Sequence, residues 1–167
     1  MKIRHAALPL VLLVLILATC TPPPGKSAAP LPADSKSAVD YFDNTGRTDV
    51  LSGGVRRIPI TTPKGIFTVW TKRVGNIPTL KVLLLHGGPG FTHEYLEAAD
   101  SYFPAAGIEY YYYDQLGSYY SDQPVDSALW STARFVDEVE QVRRALGLGP
   151  DDLYLFGHSW GGILAIE

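Results

Sequence analysis

A chain of 167 residues, 46% hydrophobic and 19% charged, is long enough to bury one real core and too apolar to stay disordered. Its net charge of −3, with 14 Lys and Arg scattered along the chain, excludes an electrostatic nucleic-acid surface. A single cysteine excludes a disulfide framework within the chain.

The first twenty residues read as separate from that core. Lys2 and Arg4 form a short positive end, and Leu8 to Leu17 is nearly unbroken Leu, Val and Ile, the length of a secretory apolar region rather than of a membrane span. The run closes on Leu17-Ala18-Thr19-Cys20, which resembles a bacterial lipobox, although Thr19 stands where Gly, Ala or Ser is usual. The resemblance implies residues 1–20 as a lipoprotein signal peptide with lipid attached at Cys20. That would tether the protein to an extracytoplasmic membrane face without crossing the membrane. The plainer alternative is a secretory signal with an incidental cysteine. Residues 21–45 open with a stretch rich in Pro, Ala and Ser, with too few large apolar side chains to bury anything, and are expected to be a linker.

From residue 46 the pattern becomes that of a folded domain. Val55–Ile60 and Ile66–Thr71 alternate around turn residues Thr62-Pro63-Lys64-Gly65, predicting an antiparallel hairpin. Leu80–Leu85 is a continuous apolar strand of the kind covered on both faces in a parallel sheet, and it feeds directly into His86-Gly87-Gly88-Pro89-Gly90. Glu94–Phe103 has helical spacing. Ile108–Tyr113, with four consecutive tyrosines, reads as the next strand, its rings either packed under helices or forming an aromatic binding surface. A polar loop, Asp114–Pro124, follows. Ser131 or Thr132 caps a predicted helix to about Leu146, with Phe135, Val139, Val142 and Leu146 on one face and Asp137, Glu138, Glu140, Arg143 and Arg144 on a solvated one.

Leu153–Phe156 has the length and composition of a buried strand. It turns through Gly157-His158-Ser159-Trp160-Gly161 into a small-residue helical segment. A serine between glycines in a strand–turn–helix context is held with its hydroxyl exposed, because only glycine fits where strand and helix pack closely. Ser159 is therefore the candidate nucleophile, and the Trp160 N–H, at the start of the helix, a candidate donor to the oxygen of an attacked carbonyl. The loop after Leu85 lacks the Lys-Ser/Thr of a phosphate-binding loop, and no residue pattern points to a metal or an organic cofactor.

The hairpin, His86–Gly90, the Asp114-Gln115-Leu116-Gly117-Ser118 loop and Gly157–Gly162 together resemble the α/β-hydrolase superfamily, and more narrowly the proline iminopeptidases. The resemblance implies an α/β-hydrolase fold, a mostly parallel sheet with an N-terminal antiparallel hairpin, over residues 46–167. It implies Ser159 as nucleophile, and Gly88 with Trp160 as oxyanion donors, Gly87 being a near alternative to Gly88. The implied activity is release of an N-terminal residue, often proline, from a short peptide through an acyl-enzyme. Leu116, Tyr119 and Tyr120 replace Arg, Gly and Arg of the family's common loop.

In this family the triad acid and histidine follow the serine, and the 167 residues end eight positions after Ser159. The expectation is a hydrolase domain truncated after its nucleophile turn and inactive alone, lacking also the cap that grips the peptide's amino group. Two other functions fit the same residues: an esterase or other acyl hydrolase, and a non-catalytic extracytoplasmic lipoprotein. The expected partners are a peptide substrate and, through the lipid only, a membrane; the sequence carries no signal of oligomeric state.

Overall fold

The computed structural model describes residues 41–47, 52–76 and 80–167. The apolar N-terminal run, Cys20 and most of the proline-rich stretch lie outside the described residues.

Five strands form one mixed sheet: β1 (Val55–Thr62), β2 (Gly65–Val74), β3 (Lys81–Leu85), β4 (Glu109–Asp114) and β5 (Leu153–Gly157), in spatial order β1-β2-β4-β3-β5. The hairpin forms as expected, with Thr62 opposite Gly65 across the two-residue loop Pro63-Lys64. β2 pairs antiparallel with β4, while β3 runs parallel to both β4 and β5. Between β4 and β5 lies the helix α1 (Thr132–Ala145), and after β5 the helix α2 (Trp160–Ile166).

Strand alternation divides the core in two. Leu83, Leu85, Tyr111 and Tyr113 face one side with Ile58, Ile60 and Val69, where Phe135, Val139 and Val142 of α1 and Leu164 of α2 cover them. Val82, Leu84, Tyr110 and Tyr112 face the other, under Leu96 and its neighbours. Cover on both faces is why β3 reads as an unbroken apolar run.

The four tyrosines are all buried, and each hydroxyl finds an acceptor: Tyr110 and Tyr112 on Asp100, Tyr111 on Glu109, Tyr113 on Glu138. They are core residues with satisfied polar tips, so the binding-surface alternative is set aside.

Three sequence expectations are corrected. Glu94–Ser101 is a 3₁₀ rather than an α-helical segment, held to the sheet through Asp100 and to the preceding His86–Gly90 loop through Tyr95. Glu138 is not on a solvated face. It is fully buried, ion-paired with Arg134, and accepts from the Leu116 N–H (2.8 Å) as well as from Tyr113. Helical spacing alone gives such a residue a solvated face; its burial is tolerable because Arg134 on the same helix, the Tyr113 hydroxyl and the Leu116 N–H all meet its carboxylate. Finally, β5 is exposed along Tyr154, Leu155 and Phe156, because it is the outermost strand of the described sheet and pairs only with β3.

The connections place the site. The chain leaving β3 crosses one face of the sheet, and the chain leaving the neighbouring β5 enters α2 on the other. Adjacent parallel strands whose connections diverge in this way open a crevice at their carboxyl ends, the usual ligand position in an open α/β sheet.

Candidate active site

Ser159 sits at that crevice, directly after β5, with φ 55° and ψ −119°. A non-glycine residue in such a conformation stores on the order of 1–3 kcal/mol of strain and persists only where its surroundings hold it. Here they do. The His158 N–H donates to Leu85 O (3.1 Å), tying the turn to the end of β3, and the Gly161 N–H closes the turn onto His158 O (2.9 Å). The flanking glycines are obligatory on contact grounds. A Cβ on Gly161 would lie 1.9 Å from Leu85 O, and one on Gly157 would lie 2.2 Å from Gly161 O. The helix therefore touches both strands through bare backbone, which pushes Ser159 outward, where it is exposed.

The loop after β3 runs beside it: a Cβ on Gly87 would be 3.2 Å from Ser159 Cβ. Two successive peptide units of this loop are held by side chains. His86 O accepts from Gln115 Nε2 (2.9 Å), and the Gly87 N–H at the other end of that unit donates to Tyr95 Oη (2.7 Å). In the next unit, Gly87 O is 2.8 Å from His86 Nδ1. Because His86 Nε2 accepts from the Gln115 N–H (3.0 Å), the ring proton is on Nδ1 and is donated to Gly87 O. Burial lowers the His86 pKa below its ordinary value, against the opposing hydrogen bond to Gly87, and so favours this neutral ring. What remains at the other end of the second unit is the Gly88 N–H, with no hydrogen bond among the described residues, as is also true of the Trp160 N–H. Gly88 has φ +125°, and a Cβ there would meet the Gly90 and Phe91 nitrogens at 2.7 and 2.8 Å.

Gln115 joins the three loops: besides its bonds to His86, its Oε1 accepts from Trp160 Nε1 (3.1 Å). The rest of the Asp114–Pro124 loop is a latch. Buried Asp114 accepts from the backbone and ring nitrogens of His93 (3.0 and 2.8 Å), and Ser121 Oγ accepts from the Trp70 N–H (2.8 Å). Leu116, where the family pattern has Arg, lies in the core. Tyr119, where it has Gly, keeps a left-handed φ of 32° with its ring packed at a tilt on Tyr120.

Gly87, Gly88, Phe91, Tyr95, His158 and Ser159 line a cleft of about 220 Å³. None of the described histidines hydrogen-bonds Ser159: His86 faces Gly87 and Gln115, His93 faces Asp114, and His158 Nδ1 lies 3.1 Å from Tyr95 Oη. The structure thus brings Ser159, Gly88 and Trp160 to one crevice, while Cys20 lies outside the described residues. The sequence carries no signal of the roles of Tyr95 and Gln115. An aromatic in an amphipathic segment looks like any core residue, and nothing local to Gln115 signals its three partners. Among the described residues no three His, Cys, Asp or Glu side chains cluster as a metal site would require.

Residues 81–167, just over half the chain, match the family described as alpha/beta hydrolase fold. The chain is 66% identical over 110 residues to a proline iminopeptidase of Chitinophaga pinensis and 63% identical over the same length to one of Elizabethkingia meningoseptica, covering 66% of this chain in each case. It spans 37% of the length of either relative. Among solved structures, the proline iminopeptidase of Mycobacterium smegmatis superposes with a TM-score of 0.56 at 28% identity, over 66% of this chain and 37% of that one. On these similarities the chain belongs to the α/β-hydrolase family, in which it is proline iminopeptidase-like.

Proposed function

We propose that the protein is a serine aminopeptidase of the proline iminopeptidase type. The observation that carries the reading is the pairing of an exposed, conformationally strained Ser159 with two unbonded N–H groups, Gly88 and Trp160, at one crevice. The identity of the relatives supports peptide over ester as the substrate class. Ser159 Oγ attacks the carbonyl carbon of the N-terminal residue. The C–O bond forms as the proton passes to a base, and the negative carbonyl oxygen is received by the two N–H groups. Collapse breaks the C–N bond as the base returns its proton to the leaving nitrogen, releases the shortened peptide as its amine, and leaves an acyl-enzyme that water hydrolyses. The described histidines are engaged elsewhere, so the base is proposed to come from the length that the relatives have beyond the matched segment, and the 167 residues alone are expected to show no turnover. Tethering through lipid on Cys20, outside the cytoplasm, is part of the same proposal and rests on the sequence alone.

The test uses the full protein. A fluorophosphonate probe should label it, and Ser159→Ala should abolish both the label and the cleavage of proline β-naphthylamide. The N-acetylated substrate should be refused. Equal cleavage of both substrates, or a preference for p-nitrophenyl esters, would instead establish a general acyl hydrolase. Absence of labelling with intact folding would leave a binding protein.

A further inference from the structure

The oxyanion loop contains two N–H groups near the nucleophile, and only one can be aimed at the developing charge without the other competing. We infer that Tyr95 is a positioning residue for catalysis, whose hydroxyl sequesters the Gly87 N–H and locks the loop so that Gly88 is the donor. The inference rests on the serine-hydrolase reading above and goes beyond it, because Tyr95 lies outside the motifs that define the loop and the nucleophile turn.

Four observations carry it. First, among the described residues the Gly87 N–H to Tyr95 Oη bond, at 2.7 Å, is the side-chain contact that holds the nitrogen end of the His86–Gly87 peptide unit; Gln115 holds the oxygen end. With both ends held, that unit cannot rotate, and the following unit, anchored at Gly87 O by His86, must present the Gly88 N–H. Second, a Cβ on Gly87 would lie 3.2 Å from Ser159 Cβ, so the Gly87 peptide borders the nucleophile, and its N–H, left unbonded, would be a second free donor in the same loop. Third, the same hydroxyl lies 3.1 Å from His158 Nδ1, and the two rings meet edge to face at 5.2 Å. An oxygen that accepts from Gly87 still has a proton to give, and directing it at His158 ties the loop after β3 to the residue immediately before the nucleophile. Fourth, the tyrosine ring is itself packed by Phe91 at 5.3 Å, so the hydroxyl is delivered from a supported side chain rather than a free one. Preorganised donors of this kind act because they cost no reorganisation when charge develops, and a hydroxyl that fixes their direction contributes to turnover without touching the substrate.

Tyr95→Phe in the full protein removes the oxygen and keeps the ring. Wild-type labelling of Ser159 by a fluorophosphonate is measured first; its phosphoryl oxygen occupies the place of the substrate oxyanion. In the variant, kcat on proline β-naphthylamide and the second-order labelling rate should both fall about tenfold, the effect of one ordinary hydrogen bond, with KM within twofold of wild type and the thermal midpoint unchanged. That split is what a purely structural role would not produce. A variant with wild-type kcat and labelling would overturn the positioning role and leave the serine-hydrolase reading standing. A fallen thermal midpoint, or a loss confined to KM, would assign the hydroxyl to folding or to binding and overturn it equally. Failure of the wild type to label at all would refute the serine-hydrolase reading, and the role of Tyr95 with it.

Discussion

Adjacent glycines in α2 should respond to the same substitution with opposite signs. A Cβ on Gly161 meets Leu85 O at 1.9 Å, Leu85 C at 2.5 Å and His86 O at 2.8 Å, all backbone atoms. Since Cβ contacts under 3.0 Å are essentially never seen, Gly161→Ala must move the start of α2 by at least about 1.1 Å. β3 cannot yield, being paired on both edges by β4 and β5. Overpacking of this kind costs about 1–3 kcal/mol, and an unyielding backbone obstacle argues for the upper part of that range. The Trp160 N–H travels with the helix, and a misplacement of about 1 Å at a reacting group costs about a hundredfold in rate. At Gly162, by contrast, a Cβ comes no nearer than 3.6 Å to Gly157 O, an ordinary contact. Gly162→Ala should therefore gain about 0.5–1 kcal/mol from the loss of a helical glycine. Urea unfolding of the full protein, with fluorophosphonate labelling rates on the same samples, measures both effects. Wild-type stability and labelling in Gly161→Ala, or stability shifts of the same sign in the two variants, would refute the close-packing argument.

Burial holds the His86 pKa below its ordinary value of 6.5, so the unfolded chain takes up a proton near that pH while the folded one does not. The contribution of His86 is complete above about pH 6.5 and is lost as pH falls toward the folded pKa, with a slope of up to about 1.4 kcal/mol per pH unit. Thermal midpoints between pH 7 and 5 should show that loss, and His86→Gln should flatten it. Glu138→Ala should cost about 3–5 kcal/mol in urea unfolding, and more than Arg134→Ala, because it leaves the Arg134 charge, the Tyr113 hydroxyl and the Leu116 N–H without their acceptor. In a bacterial host the full protein should incorporate labelled fatty acid and partition with membranes, and Cys20→Ser should abolish both; unchanged labelling would remove the anchor.

Much of the candidate site's backbone outline is legible in the sequence because its determinants are local. A serine between glycines after an apolar strand points to one particular turn, and residues 157–161 carry its signature, although the end of β3 holds it in place. The same holds for the hairpin, whose register follows from alternation and a two-residue loop, and for α1, which Ser131 caps as expected. What sequence could not decide is which distant groups meet. Gly87 and Gly88 are alike as neighbouring residue types, but in the fold a tyrosine eight positions beyond Gly87 turns back to occupy its N–H, while Gly88 takes a left-handed φ with its own N–H unbonded. Glu138 has the spacing of a solvated residue and is buried because Arg134, Tyr113 and Leu116 converge on it from a helix, a strand and a loop. Gln115 becomes the tie between three loops only once β3 and β4 lie side by side and α2 packs its first turn across their ends. Backbone conformation is written in short stretches of residue type. The pairing of buried polar groups is a property of the assembled sheet, since each is tolerable only where its partner already stands.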